Sequence, residues 1–186
     1  MTIQSYVLRK SLKTDEVTCI IPTLNEYSTV AEVVQKAKLF TRQIIVVDGW
    51  SEDGTSIAAS EAGAKVIFQD GEGKGMALRT AFNKINSDIY VIIDGDATYD
   101  VMEMEKIFQP ILDGEADMVI GSRLKGTIEE GSISTINKIG NILFNFLINF
   151  LFKGKITDSQ SGFRALSRKA VENMNLSSNG FEIETE

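Results

Sequence analysis

Ile89-Tyr-Val-Ile-Ile93-Asp94-Gly95-Asp96-Ala-Thr-Tyr99-Asp100 is the stretch on which the fold of this chain turns. Its first half, a run of β-branched and aromatic residues ended by a glycine, predicts a buried strand. Asp94 and Asp96 then fall at the carboxyl end of that strand, where open α/β sheets place their ligands. Side chains alternate along an extended chain, so the two carboxylates point the same way. A cation relieves their mutual repulsion. Mg²⁺ or Mn²⁺, held by one or two carboxylates together with substrate phosphate oxygens, is the natural occupant. Taken alone, such an Asp-x-Asp is more often a solvated acidic turn, so the remainder of the chain has to decide.

Outward from this strand, the chain alternates short apolar runs with helical spacings. Val17-Thr-Cys-Ile-Ile21 predicts a first strand, stopped by Pro22, and the loop Pro22-Thr23-Leu-Asn25-Glu26 leads to a helix over about 28–40. Gln43 to Val47 predicts the second strand, ending at Asp48, and after a turn-rich loop a helix spans about 55–62, closed by Gly63. Ala64 to Phe68 predicts a third strand, and a helix over about 76–86 follows the glycine-rich Asp70–Gly75. After the acidic strand, Asp100 stands three residues before Glu103, a capping-box-like start for a helix to about Asp113. Asp117 to Ile120 predicts another strand, leading into Gly121-Ser-Arg123. Four or five strands alternating with helices mean βαβ units and a mainly parallel sheet. Asn25, Glu26, Asp48, Asp94, Asp96 and Arg123 all sit at or just past strand ends, which predicts one shared crevice.

Composition narrows the chemistry. At 186 residues the chain is one domain or one domain with an appendage, and 43% apolar content suffices for a full core. A formal charge of −7 argues against a nucleic-acid binder. The absence of histidine removes His-based triads and HExxH sites, and a single cysteine excludes an intrachain disulfide. Carboxylates, Lys, Arg, backbone amides and a hard metal are left to carry any reaction. Cys19, inside an apolar run, predicts a buried free thiol suited to a reducing cytosol. Met1 to Thr18 lacks the apolar core of a signal peptide.

The ordered set Pro22-Thr-Leu-Asn25-Glu26, Val47-Asp48-Gly-Trp-Ser-Glu-Asp53-Gly-Thr55, Asp94-Gly-Asp96, Gly121-Ser-Arg123 and Asp158-Ser-Gln-Ser161-Gly-Phe-Arg164 resembles family 2 glycosyltransferases of the GT-A fold. Within them it is most similar to the polyprenyl-phosphate (dolichyl-phosphate) sugar transferases. The resemblance covers Val17 to the end, and its order is far more specific than any single piece. It implies that Pro22, Thr23, Asn25 and Glu26 meet the nucleotide base and ribose, with Asp48, Gly95 and Lys74 also on the donor. Asp94 and Asp96 would form the metal–diphosphate motif, Asp96 as the more direct ligand. Arg123, counted with Asp94 and Asp96 as catalytic, would hold phosphate charge with Ser161 and Arg164, on the acceptor side. Two departures stand out: Asp48-Gly49 where relatives often carry paired acids, and Thr98 where mannosyltransferases often carry Gln. Both leave the sugar open.

Other signals are weaker. Gly71-Glu-Gly73-Lys74-Gly75 imitates a P-loop but has Phe68 where the first glycine belongs and Gly75 where Ser or Thr belongs. It reads either as a turn starting a helix or as a lip from which Lys74 reaches the donor. Trp50 reads better as packed over a loop than as stacked on a ligand, and the Asn175-Leu-Ser177 sequon as chance. Ile136 to Phe152 is rich in Ile, Leu and Phe, with Asn137, Asn141, Asn145 and Asn149 recurring every fourth residue. On a helix this gives an amide stripe beside a wide apolar arc. Its length is roughly 25 Å, short of a hydrocarbon core of about 30 Å. It predicts an amphipathic helix lying on a membrane, against the plainer reading of a buried helix or an oligomer contact. Phe181-Glu-Ile-Glu184-Thr-Glu186 resembles a family segment that leads into further structure, and the chain ends there, as a truncated chain would.

The expected organisation is an N-terminal arm (1–16) and a GT-A domain (17–186), with a nucleotide-sugar part to 123 and an acceptor- and membrane-facing part beyond. The expected fold is α/β, with a Rossmann-like, mainly parallel sheet flanked by helices and a C-terminal interfacial helix. The expected activity is inverting transfer of a sugar from a UDP- or GDP-linked donor to a polyprenyl phosphate, with Mg²⁺ or Mn²⁺, on the cytoplasmic face of a membrane. The expected partners are that donor, that acceptor and the membrane surface, with a second copy of the chain as a further candidate. The rivals are a non-catalytic nucleotide-sugar-binding or membrane-docking module and a sugar-nucleotide nucleotidyltransferase. The latter would want a glycine-rich basic loop after the first strand, which Pro22–Glu26 is not.

Overall fold

The computed structural model describes residues 16–121 and 161–184. Arg123, Asp158, residues 1–15 of the expected arm and the expected interfacial helix at 136–152 lie outside them. The elements in order are β1 (Val17–Thr23), α1 (Val30–Ala37), β2 (Gln43–Asp48), α2 (Thr55–Glu61), β3 (Lys65–Phe68), α3 (Lys74–Lys84) and β4 (Ile89–Ile92). A 3-10 turn at Val101–Glu103 leads into α4 (Met104–Leu112). Then come β5 (Met118–Ile120), β6 (Arg164–Ser167), α5 (Arg168–Asn173) and a 3-10 turn at Phe181–Glu184.

Six strands form one sheet in the order β3-β2-β1-β4-β6-β5. β1 to β4 pair in parallel, as the alternation of strands and helices predicts. β6 runs antiparallel to both β4 and β5. Helices cover both faces, which is why the strands are apolar on both sides. Val17, Cys19 and Ile21 of β1 face α1, α2 and α4, while Ile20 faces α3. Cys19 is the buried free thiol expected, and burial pushes its pKa up to about 12. An un-ionised thiol of this kind is inert.

Four details differ from the sequence expectation. Pro22 does not stop β1, which runs on to Thr23 beside β2. Ile20 accepts from Ile93 on the β4 side, and the β1–β4 ladder ends there. The missing N–H of Pro22 points to that same side, so no ladder bond is lost. α3 begins at Lys74 rather than near Met76, because the Asn179 carbonyl accepts the Met76 N–H and completes its first turn from outside. Asp100 accepts from the Met102 N–H, but Glu103 pairs with Lys106 instead of closing a capping box. Finally, β6 begins at the arginine that ends the Gly-Phe-Arg segment, and its four residues are too few and too mixed to show a strand period.

Candidate active site

Strand order reverses between β1 and β4, since β2 and β3 continue to one side of β1 and β4 lies on the other. A crevice opens at such a switch point, outside the carboxyl ends of the strands. Asn25 and Glu26 follow β1 there, and Asp94, Gly95 and Asp96 follow β4. Gly95 lies so close to Thr23 that an added Cβ would stand 2.6 Å from its methyl group. Burial, Asp96, Asp53 and Asp94 together hold the Glu26 carboxyl above its usual range, against a lowering hydrogen bond from Thr29. Glu26 and the acidic pair thus share one negative field.

The lip on the β1 side is sewn to the loop after β2. The Asn25 N–H donates to Ser51 Oγ at 2.9 Å, and Asn25 Oδ1 accepts the Glu52 N–H at 3.0 Å. The Glu26 N–H donates to Thr55 Oγ1 at 2.8 Å and the Tyr27 N–H to Asp53 Oδ2 at 3.1 Å. Asp53 also accepts from the Thr55 hydroxyl, the main reason its carboxyl lies below the usual range. Asp48 is fully buried and accepts the Ser51 N–H at 2.7 Å, so it shapes this loop from beneath. Pro22 and Thr23 are buried too, whereas Asn25 is exposed and Glu26 half-buried. Trp50 stacks on Phe68 at 4.6 Å and donates to the Gln69 carbonyl, yet stays 62% exposed.

The lip on the β4 side is assembled from distant parts of the chain. Because β6 is antiparallel, its beginning arrives at the carboxyl end of β4. A Cβ on Gly162 would lie 2.2 Å from Asp94 Oδ2, so only glycine lets the backbone rest against that carboxylate. The Gly162 N–H donates to the Tyr99 hydroxyl at 2.7 Å. Ser161 is buried, and Arg164, 9% exposed, donates to the carbonyls of Ser161 and Glu184. These contacts tie β6 to the last turn.

Lys74, at the start of α3, brings an ammonium to this lip. Its Nζ lies 2.6 Å from Asp94 Oδ1 and 2.5 Å from Glu184 Oε1, and 5.7 Å from the centre of the Phe181 ring. Burial works to lower the pKa of this ammonium, but the Asp94 and Glu184 carboxylates outweigh it and hold it above its ordinary value. The neighbouring glycines serve chain packing. A Cβ on Gly73 or Gly75 would stand 2.4 Å from the carbonyl oxygen of Asn179 or Ser178 respectively. Glu184 is a site residue that the sequence does not mark. The Phe181–Glu184 segment was visible, but no spacing rule pairs it with a lysine 110 residues earlier.

Asp96 is exposed and its Oδ1 accepts the Thr98 N–H at 2.9 Å. Among the described residues, no three Cys, Asp or Glu side chains form a metal cage. Mg²⁺ and Mn²⁺ bound with a diphosphate need only one or two carboxylates, and the pair Asp94 and Asp96 fits that donor set. A groove of about 550 Å³, lined among others by Phe82, Tyr90 and Met174, lies between α3 and α5 at the opposite end of β4. The Asp94 cluster has no part in it.

Comparison with known proteins agrees with this geometry. The glycosyl transferase family 2 profile matches residues 18–174. Glycosyltransferase AglJ of Haloferax volcanii is 37% identical over 179 residues, which cover 94% of this chain and 58% of that protein. A dolichyl-phosphate hexose transferase of the same organism is 30% identical over 168 residues, 89% of this chain and 72% of that one. The crystal structure of Mycobacterium tuberculosis glucosyl-3-phosphoglycerate synthase with Mn²⁺, UDP-glucose and phosphoglyceric acid matches with a TM-score of 0.76. It is 24% identical, covers 100% of this chain and 67% of that one, and shows a shared GT-A-like fold. The chain therefore spans somewhat over half the length of AglJ. By the extent of the family match and the identity to these relatives, the chain belongs to glycosyl transferase family 2.

Proposed function

We propose that this chain carries the donor-handling part of an inverting glycosyltransferase that moves a sugar from a UDP- or GDP-linked donor to a polyprenyl or dolichyl phosphate. The observation that carries the reading is the grouping of Glu26, Asp94 and Asp96 at the switch point with Lys74 beside Asp94. On the acceptor side it is supported by the relative named as a dolichyl-phosphate hexose transferase.

In the reaction, an oxygen of the acceptor phosphate forms the new bond to the anomeric carbon as the bond to the nucleoside diphosphate breaks. The diphosphate leaves with the bonding electrons. The acceptor phosphate is already ionised near neutral pH, so no strong general base is needed, and a histidine-free chain suffices. Asp94 and Asp96 would hold Mg²⁺ or Mn²⁺, which supplies neutralisation of the leaving diphosphate when bound. Lys74, 2.6 Å from Asp94, would donate from its ammonium to the same diphosphate, a preorganised charge of the kind that stabilises a leaving group. The braced Asn25–Glu26 loop would meet the nucleoside, and Arg123 would add phosphate charge from outside the described residues. Attack in line with the leaving group gives inversion. Among the described residues, no helix is long and apolar enough to cross a membrane. Residues 136–152 would bring the chain to the cytoplasmic face of the membrane, as an interfacial helix.

Calorimetric titration with UDP and GDP, each with and without Mn²⁺, tests the donor site. Metal-dependent binding of one nucleotide is the expected result, followed by transfer of labelled sugar from that donor to dolichyl phosphate. Binding of neither overturns the reading. Binding without transfer in a longer chain would favour a non-catalytic nucleotide-sugar-binding module.

A further inference from the structure

Lys74 is a single positive charge standing against a carboxylate that a divalent cation would also use. Its side chain is only 10% exposed, with Asp94 on one side and Glu184 on the other. The start of α3 that carries it is clamped, because the Asn179 carbonyl accepts the Met76 N–H and Gly73 and Gly75 leave no room between the two segments. The backbone that carries the ammonium is therefore fixed against Ser178 and Asn179, and the ammonium itself is held by the two carboxylates.

We propose that Lys74 is a resident counter-ion of Asp94, held in place by Glu184, and that it admits the divalent cation only together with the nucleoside diphosphate. A doubly charged ion arriving alone at Asp94 meets this ammonium at contact distance, in a half-buried place where water screens the repulsion poorly. The diphosphate supplies anionic oxygens that give Lys74 a new partner and turn the repulsion into a shared contact. Metal and diphosphate then bind with positive coupling, each raising the affinity for the other by the same factor. Glu184 acts as a positioning residue, reaching the metal only through Lys74. Both the metal at Asp94 and the diphosphate come from the glycosyltransferase reading, on which this inference rests, while the ammonium at Asp94 is set by the geometry of Lys74.

The test is Mn²⁺ titration followed by the electron paramagnetic resonance of the free ion, on the wild-type chain and on Lys74→Met, Lys74→Arg, Glu184→Gln and Lys84→Met. Lys74→Met is expected to bind Mn²⁺ alone about tenfold more tightly, within the ordinary range for coupled ligands. The factor by which UDP or GDP tightens Mn²⁺ should shrink toward unity in the same variant. Lys74→Arg keeps the charge and should keep the wild-type Mn²⁺ affinity. Glu184→Gln leaves the ammonium to Asp94 and should bind Mn²⁺ no more tightly than wild type. Lys84, paired with Asp70 on the surface, controls for the loss of one positive charge, and Lys84→Met should change nothing. Unchanged or weaker Mn²⁺ binding in Lys74→Met, or equal tightening in Lys84→Met, overturns the inference. A wild-type chain that binds Mn²⁺ but no nucleotide sinks the glycosyltransferase reading and the coupling, and the Mn²⁺ comparison still decides whether Lys74 opposes the metal. Lys74→Gln replaces Lys74→Met if the latter does not fold.

Discussion

The two lips of the crevice are built by different means. On the β1 side, short-range hydrogen bonds join neighbouring loops: Asn25, Glu26 and Tyr27 reach partners 26 to 29 residues away, largely through backbone N–H groups. On the β4 side, charges and close approaches join segments far apart, with Tyr99 meeting Gly162 and Lys74 meeting Glu184 across separations of 63 and 110 residues. The first lip is a frame of hydrogen bonds, most of them from backbone N–H groups onto hydroxyls and the carboxylates of Asp48 and Asp53. The second is a balance of ions whose geometry depends on which cation sits at Asp94. A nucleotide sugar would be oriented by the first and have its diphosphate neutralised by the second.

The largest effect that could break this division is at Asp96. Asp96→Asn should weaken metal-dependent nucleotide binding by about 100-fold or more, since even indirect metal partners are worth up to that factor. Unchanged Mn²⁺-dependent affinity in calorimetry would remove the acidic pair from the metal site. Next is Gly162→Ala, where the new methyl group must push Asp94 or the backbone aside. Overpacking of this kind should cost about 1–3 kcal/mol in urea unfolding, together with weaker Mn²⁺ binding. On the other lip, Thr55→Ala deletes the acceptor of the Glu26 N–H and a donor to Asp53. A loss of about 1–2 kcal/mol is expected, with Mn²⁺ affinity untouched. If Thr55→Ala weakened Mn²⁺ as much as Gly162→Ala does, the lips would not be separable.

The smallest effect sharpens the comparison at the residue where the lips meet. Glu26 lends its backbone to the frame and its carboxylate to the acidic field. Its folded pKa is raised, so above that value the ionised group costs stability, and the cost disappears as pH falls to the ordinary carboxylate value. Glu26→Gln should therefore raise the melting temperature slightly near neutral pH, and the gain should vanish at acid pH. A gain that persisted in acid would show that charge is not its cause.

Much of the first lip was legible in the chain. β1, β2 and β4 announce themselves as apolar runs, the helices between them by spacing, and Asn25, Glu26, Asp94 and Asp96 by falling at strand ends. Asp48 was placed at the right strand end, but spacing could not show that it is fully buried. The family resemblance makes Ser161 and Arg164 phosphate contacts, and their burial against backbone carbonyls emerges only when β6 lies beside β4. The glycines of 71–75 imitate a phosphate loop; at Gly73 and Gly75 the neighbours that need the space are Asn179 and Ser178.

Local periodicity is written in adjacent residues, because strand and helix preferences depend on near neighbours, and so the alternating α/β order and the acidic strand end were determined by sequence alone. The partner of β4 on its far side, the cation at Asp94 and the fate of Arg164 were decided only by the tertiary structure. Each is a contact between segments distant in the chain, chosen by the packing of the whole sheet rather than by any local preference.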